Sequence, residues 1–209
     1  MDATDAAVEM TSPATSKGMA SSLNRRWTLR VIFIADLHLG HRTVMRHTRK
    51  VKGAYRGQVT DFMVDPEDPN EVKRHDAWVI EQLHSIKPDK RTLWWMLGDV
   101  AFTLEGLHMI RSLPGRKKLV LGNHDKFHWS AYTKVFESLH GTVKQYGLWI
   151  SHVPVHETEL YRAPNIHGHA HHNQLRDDPR YLNVCIEWVK RPLSLEEVRE
   201  YFKQEAGHG

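Results

Sequence analysis

Apolar residues along the chain gather into short, nearly continuous runs separated by polar turns, with helical spacing between some of them. Residues 29–35 are largely apolar and β-branched and predict a buried strand. Residues 92–97 and 118–121 predict two more. Residues 142–146 and 148–151 read as strands on either side of Gly147, and 181–188 as a last strand. Between these runs, Val72, Ala77, Ile80, Leu83 and His84 recur at helical spacing and predict a helix over 71–86, closed by Pro88. Shorter helices are predicted over 104–112 and 129–139. Ser194 with Glu197 is a capping-box pattern that opens a C-terminal helix over 195–204. Neighbours on a strand point to opposite faces, so the adjacent Trp94 and Trp95 predict a sheet covered on both sides.

The flanks change character. Residues 1–22 are rich in Ala, Ser, Thr and Met without periodicity, and predict a disordered tail ahead of a single domain over 23–209. Residues 41–58 carry Arg42, Arg46, Arg49, Lys50, Lys52 and Arg56 with no acid among them. Gly53 and Gly57 interrupt that stretch, which predicts a loop or broken helix. At 209 residues, 40% hydrophobic and 26% charged, the composition is that of a globular α/β domain. No apolar run reaches the length of a membrane span, and no basic segment precedes an apolar core at the N-terminus. A cytoplasmic setting is therefore expected, with no membrane partner. The single cysteine, Cys185, excludes an internal disulfide and, among apolar neighbours, reads as core. The net charge of +4 leans toward anionic partners.

Histidine is the unusual residue, with 16 copies in patterned groups instead of one tract. The predicted strands run into Asp36-x-His38, Gly98-Asp99, Gly122-Asn123-His124-Asp125, His152, and Gly168-His169-x-His171. Ligands of α/β sheets collect outside the carboxyl ends of strands, so these loops can converge. Carboxylate, amide oxygen and imidazole together suit manganese, iron, zinc and similar divalent ions. Asp36 and His38, two apart on an extended segment, would face the same side. Asp125 would either orient His124 or face solvent. His41, His167 and His172 read as flanking or surface groups, and Trp129 as core or as pocket lining.

In this order the motifs resemble the calcineurin-like metallophosphoesterase superfamily, whose pattern is D-x-H, G-D, G-N-H-[D/E], a lone H, and G-H-x-H. The resemblance covers residues 29–190, and the phrases around 121–125, 151–154, 165–171 and 183–187 look like the small phage and bacterial members. It implies a four-layer α/β sandwich, with two mixed β-sheets packed face to face and helices outside. It implies two divalent metal ions, manganese foremost, with iron, zinc, nickel or cobalt as alternatives. Asp36, His38, Asp99 and His171 would hold the first ion; Asp99 would bridge to a second completed by Asn123, His152 and His169. His124 would be no ligand but the catalytic residue, beside the leaving group or a phosphate oxygen.

The activity so implied is a binuclear metal-dependent phosphodiesterase, acting on a nucleotide or other small phosphodiester through a metal-bridging hydroxide. Two alternatives stand beside it. One is a phosphomonoesterase, phosphoprotein phosphatases included. The other is a nucleic-acid-binding protein with a structural metal site, using the basic segment 42–56. His124 argues against the latter, since a structural site needs no such residue. If phage-encoded, the protein would work in the cytoplasm of a bacterial host.

Overall fold

A computed structural model describes residues 28–42, 70–161, 163–171 and 178–206. The predicted tail over 1–22, most of the basic segment and His172 lie outside the described residues. The strands are β1 (Arg30–Ile34), β2 (Thr92–Met96), β3 (Arg116–Val120), β4 (Ser138–His140), β5 (Val143–Gln145), β6 (Leu148–Ile150), β7 (Asn165–His167), β8 (Tyr181–Asn183) and β9 (Leu193–Ser194). The helices are α1 (Glu71–Ser85), α2 (Leu104–Ser112), α3 (Trp129–Tyr132), α4 (Ile186–Val189) and α5 (Leu195–Ala206). No helix among the described residues is long and apolar enough to cross a membrane.

The fold is α/β with two mixed sheets. The larger has the order β4-β3-β2-β1-β9, parallel except for β9. The smaller has the order β5-β6-β7-β8, parallel except for β5. The period-2 alternation of β1 and β2 builds two cores at once. Ile32, Ile34, Trp94 and Met96 pack with Val79 and Leu83 of α1 and Leu107 and Ile110 of α2. Phe33, Leu93 and Trp95 point the other way and meet Leu148, Ile150, Ile166 and Leu182 of the smaller sheet. The expectation for the paired tryptophans is met: Trp94 lies in the helix-side core and Trp95 between the sheets. Leu195 and Val198 of α5 join the core between the sheets. The capping box forms as predicted, with Glu197 N–H donating to Ser194 Oγ (3.2 Å) and Ser194 N–H to Glu197 Oε2 (2.8 Å). Over the far face of the smaller sheet, the cover among the described residues is the loop of 153–160 with one 3₁₀ turn. The Trp149 indole donates to Glu159 O (2.8 Å) there, and the Tyr181 hydroxyl to Val155 O (2.8 Å).

Four local expectations are corrected. The helix predicted over 129–139 is the single turn α3. The chain then turns so that Tyr132 and Phe136 fill the helix-side core and 138–140 adds a parallel edge strand. The strand predicted over 181–188 stops at Asn183, whose side-chain Oδ1 accepts the Cys185 N–H (2.9 Å) and bends the chain into α4. The buried stripe of α1 is His75, Asp76, Val79 and Leu83, while Ala77 and His84 face outward. Asp76 turns inward because both its carboxylate oxygens accept the Gly40 N–H (3.0 Å), tying α1 to the loop after β1. Finally, Asp36 and His38 are not extended: their φ values are 56° and 49°.

Trp95 is fully buried between the sheets, and its indole donates to Tyr146 Oη (3.4 Å). Trp95→Ala is expected to cost about 3–5 kcal/mol, read from the urea unfolding midpoint. A loss below about 1 kcal/mol would contradict the packing described.

Candidate metal centre

Six strands deliver their following loops to one end of the two sheets, and those loops hydrogen-bond to each other. Asp36 N–H donates to Gly98 O (3.0 Å) and His38 N–H to Asp99 O (3.0 Å), carrying the β1–β2 pairing past the strand ends. Gly168 N–H donates to His152 O (2.9 Å) within the smaller sheet's loops. A parallel bridge between Ala35 and Cys185 joins the two sheets at this end. Asp36, His38, Asp99, His169 and His171 all adopt left-handed backbone, with φ between 46° and 65°. Such residues cost about 1–3 kcal/mol each and persist only where the surroundings hold them. Five of them fall in the loops at this one end of the two sheets.

Among the described residues, three groups have donor atoms within 4.8 Å of one another: Asp36/His38/His171 and Asp99/His152/His169, which line the pocket, and His171/Cys185/Glu187, which stands behind the first. Asp99 links the two that line the pocket. Its Oδ2 lies 3.8 Å from His38 Nε2 and 3.5 Å from His152 Nε2. Asp36 Oδ1 lies 3.5 Å from His38 Nε2 and 3.7 Å from His171 Nε2. Asp36 Oδ1, His38 Nε2 and Asp99 Oδ2 are buried and have no hydrogen-bond partner among the described residues. Buried carboxylate oxygens and an imidazole nitrogen, unpartnered and facing one another, are costly alone and suited to a shared divalent cation. The donor set therefore fits the two-ion site that the motifs imply.

Two glycines let the loops close. A Cβ on Gly122 would lie 2.2 Å from Asp99 Oδ1 and 2.5 Å from Asp99 N. A Cβ on Gly168 would lie 2.3 Å from Asp36 Oδ2. The outer oxygens of both carboxylates are spoken for. Asp36 Oδ2 accepts from His169 N–H (2.8 Å) and from the Cys185 thiol (3.1 Å), and Asp99 Oδ1 accepts from His124 N–H (2.8 Å). Each carboxylate is thus fixed by one oxygen and presents the other to the pocket.

Burial raises the Asp36 carboxyl, but the His38 imidazole 3.5 Å away and the charges of His171 and His152 outweigh it and bring it to about 2. Burial likewise raises Asp99, but the His152 imidazole 3.5 Å away and the His124 N–H prevail, so it too is lowered. Burial lowers His171, but its hydrogen bond to Glu187 and the charges of Glu187, Asp36 and Asp99 lift it to about 9. His152 is raised despite burial, through Asp99 and Asp36. Its Nδ1 lies 2.8 Å from Leu97 O and its Nε2 2.9 Å from Asn123 Oδ1. These two contacts hold the ring between Leu97 and Asn123.

The structure brings together Asp36, His38, Asp99, Asn123, His152, His169 and His171, with His124 beside them. The His124 ring lies 6.0 Å from that of His38 and 5.2 Å from that of Phe102. Phe102 stacks on His38 (5.3 Å) and meets His41 edge-on (4.0 Å), so His41 belongs to the wall of the pocket. His167 is buried, with Nδ1 against Gly168 O (2.8 Å), and stands apart from both groups. Cys185 is core, as expected. Trp129 is 64% exposed and so is not core.

Asp125 does neither thing expected of it. Its Oδ2 accepts from Asp99 N–H (2.9 Å) and Gly122 N–H (2.8 Å), and its Oδ1 from Val100 N–H (3.1 Å). It staples the Gly98-Asp99 turn to the Gly122-Asn123 turn. Sequence reasoning also missed Phe102, Asn183 and Glu187. The signal for the last two was available: Asn183, Cys185 and Glu187 alternate from the end of β8 onward, within the phrase 183–187 that the resemblance covers.

Asp125→Ala removes the acceptor from three backbone N–H groups. An unfolding titration should show a loss of about 2–4 kcal/mol, since each unsatisfied donor costs about 1–3 kcal/mol and water recovers part. An unchanged midpoint would contradict the staple.

No protein-family model matches the chain. It is similar to the Gene 66 protein of Mycobacterium phage L5, with 27% identity over 206 residues, covering 79% of this chain and 90% of that protein. It is similar also to the Gene 66 protein of Mycobacterium phage D29, with 26% identity over 208 residues, covering 81% and 94%. Among solved structures, the crystal structure of the protein of unknown function AQ665 from Aquifex aeolicus superposes with a TM-score of 0.59. That match has 22% identity and covers 83% of this chain and 99% of that one. The likeness to AQ665 is one of fold, and the α/β architecture is shared.

Proposed function

We propose that the chain is a two-metal phosphodiesterase of the metallophosphoesterase type, acting on a nucleotide or other small phosphodiester. The observation that carries this reading is the Asp99 carboxylate. It is buried, fixed by one oxygen, and unpartnered at the other between two histidine-containing groups. The paired sheets, with helices packed outside the larger one, are compatible with the four-layer sandwich that accompanies this assignment.

Asp36, His38, Asp99 and His171 would hold one ion; Asp99, Asn123, His152 and His169 would hold the other. Manganese is the first choice, with iron, zinc, nickel or cobalt accepted by the same nitrogen and oxygen donors. When bound, a pair of divalent ions supplies an acidified water and neutralises the charge of the phosphate oxygens. The protein supplies the rest. Asp99 fixes the spacing of the two groups because the His124 N–H and the Asp125 staple immobilise its loop. The site stands at the carboxyl ends of the strands, where α/β sheets take their ligands. His124, half-buried and outside both ligand groups, would give a proton to the departing oxygen.

The test compares bis(p-nitrophenyl) phosphate with p-nitrophenyl phosphate in excess Mn²⁺, for wild type and His124→Ala. The diester should be preferred. His124→Ala should keep its metal and lose about 10²–10⁴-fold in rate toward diesters with poor leaving groups, with a smaller loss for p-nitrophenol. A monoester preference would favour the phosphatase reading. Equal losses for good and poor leaving groups would remove His124 from the acid role.

A further inference from the structure

The two ligand groups are supported differently. In the second, His152 Nδ1 faces a backbone carbonyl, that of Leu97 (2.8 Å). In the first, His171 Nδ1 meets a carboxylate, that of Glu187, which is itself largely buried. The opposite ring nitrogen, Nε2, faces Asp36 Oδ1 at 3.7 Å. An imidazole carries its proton on the nitrogen that meets a strong acceptor, which leaves the lone pair on the other. Where a divalent ion takes the place of the Nε2 proton, Glu187 would thus keep the His171 lone pair aimed at the pocket beside Asp36.

The segment that carries Glu187 holds His171 and Asp36 from other directions too. Asn183 Nδ2 donates to His171 O (2.9 Å), and Asn183 Oδ1 accepts the Cys185 N–H (2.9 Å). The Cys185 thiol donates to Asp36 Oδ2 (3.1 Å). Asn183, Cys185 and Glu187 thus reach, in turn, the backbone of one ligand, the carboxylate of another and the far ring nitrogen of the first. His171 itself has left-handed backbone (φ 46°).

We propose that Glu187 is a positioning residue of the first metal group: it fixes the ring orientation and proton position of His171 and so sets how tightly that group takes a divalent ion. The proposal rests on the two-metal reading above. His171, Cys185 and Glu187 also cluster, but the Cys185 thiol is engaged with Asp36 Oδ2, and Glu187 stands on the Nδ1 side of the ring while Asp36 stands on the Nε2 side, so Glu187 is placed behind the first group and not in it. Loss of such an outer partner costs about 10–100-fold in metal affinity.

The test uses the full chain, stripped with chelator and titrated with Mn²⁺ while free Mn²⁺ is followed by electron paramagnetic resonance. Wild type, Glu187→Gln and Glu187→Ala are compared. Wild type should bind two ions. Glu187→Ala should bind one of them about 10–100-fold more weakly and leave the other unchanged. Glu187→Gln keeps an acceptor for Nδ1–H and should lose severalfold less. Imidazole ¹H–¹⁵N spectra of the Zn²⁺-loaded protein should show a His171 Nδ1–H held by a hydrogen bond in wild type and open to rapid exchange in Glu187→Ala, a change that mere loss of metal affinity would not produce. If Glu187→Ala does not fold, Glu187→Gln decides by the same measurements. Two-ion binding by wild type with wild-type affinity in a folded variant overturns the role of Glu187 alone. Failure of wild type to bind any Mn²⁺ overturns this proposal together with the two-metal reading.

Discussion

A buried carboxylate that keeps one oxygen unpartnered is the constraint around which this end of the molecule is arranged. Asp99 follows β2, the central strand of the larger sheet, and stands between groups contributed by both sheets. Leaving such an oxygen dry and unpaired opposes folding. The surroundings offset this by gripping everything else: the Asp99 N–H, its second oxygen and the turns beside it are all hydrogen-bonded. The same division recurs at Asp36, where Oδ2 takes two donors and Oδ1 takes none. Two carboxylates treated alike, about a common pocket, explain why five residues there tolerate left-handed backbone.

The two cores serve this arrangement. Alternation along β1 and β2 fills one core against the helices and another between the sheets, so both strands are immobilised on both faces. Their carboxyl ends then emerge at fixed positions, and the Ala35–Cys185 bridge sets the smaller sheet in register with them. α1 contributes beyond packing, since its inward Asp76 holds the Gly40 backbone and with it the loop that bears His38. Rigid scaffold and exacting loops are thus continuous, and an error of one side chain in a loop would be transmitted through backbone hydrogen bonds to its neighbours.

Much of this was legible from the chain itself. Buried strands announce themselves as apolar runs, and the groups following them share one ligand chemistry, so the convergence of Asp36, Asp99, His152 and His169 could be read without coordinates. The helix over 104–112 and the capping box at Ser194 were equally plain, because both depend on neighbours in sequence. What escaped were contacts between distant residues. Asp125 bonds a turn 26 positions away, and Cys185 reaches Asp36 across 149. The side-chain bond that ends β8 at Asn183 also defeats a periodicity argument, since an apolar run reads the same whether or not the backbone bends. The extended geometry expected of Asp36 and His38 failed for a related reason: both side chains face the pocket through left-handed backbone, which no spacing rule encodes.

The central claim is that Asp99 joins two cation sites. Crystals of the protein soaked in Mn²⁺, with anomalous differences measured near the manganese edge, test it most directly. Two peaks about 3.5–4 Å apart should flank Asp99, one among Asp36, His38 and His171 and the other among Asn123, His152 and His169. A single peak away from Asp99, or no peak at saturating Mn²⁺, would contradict the account.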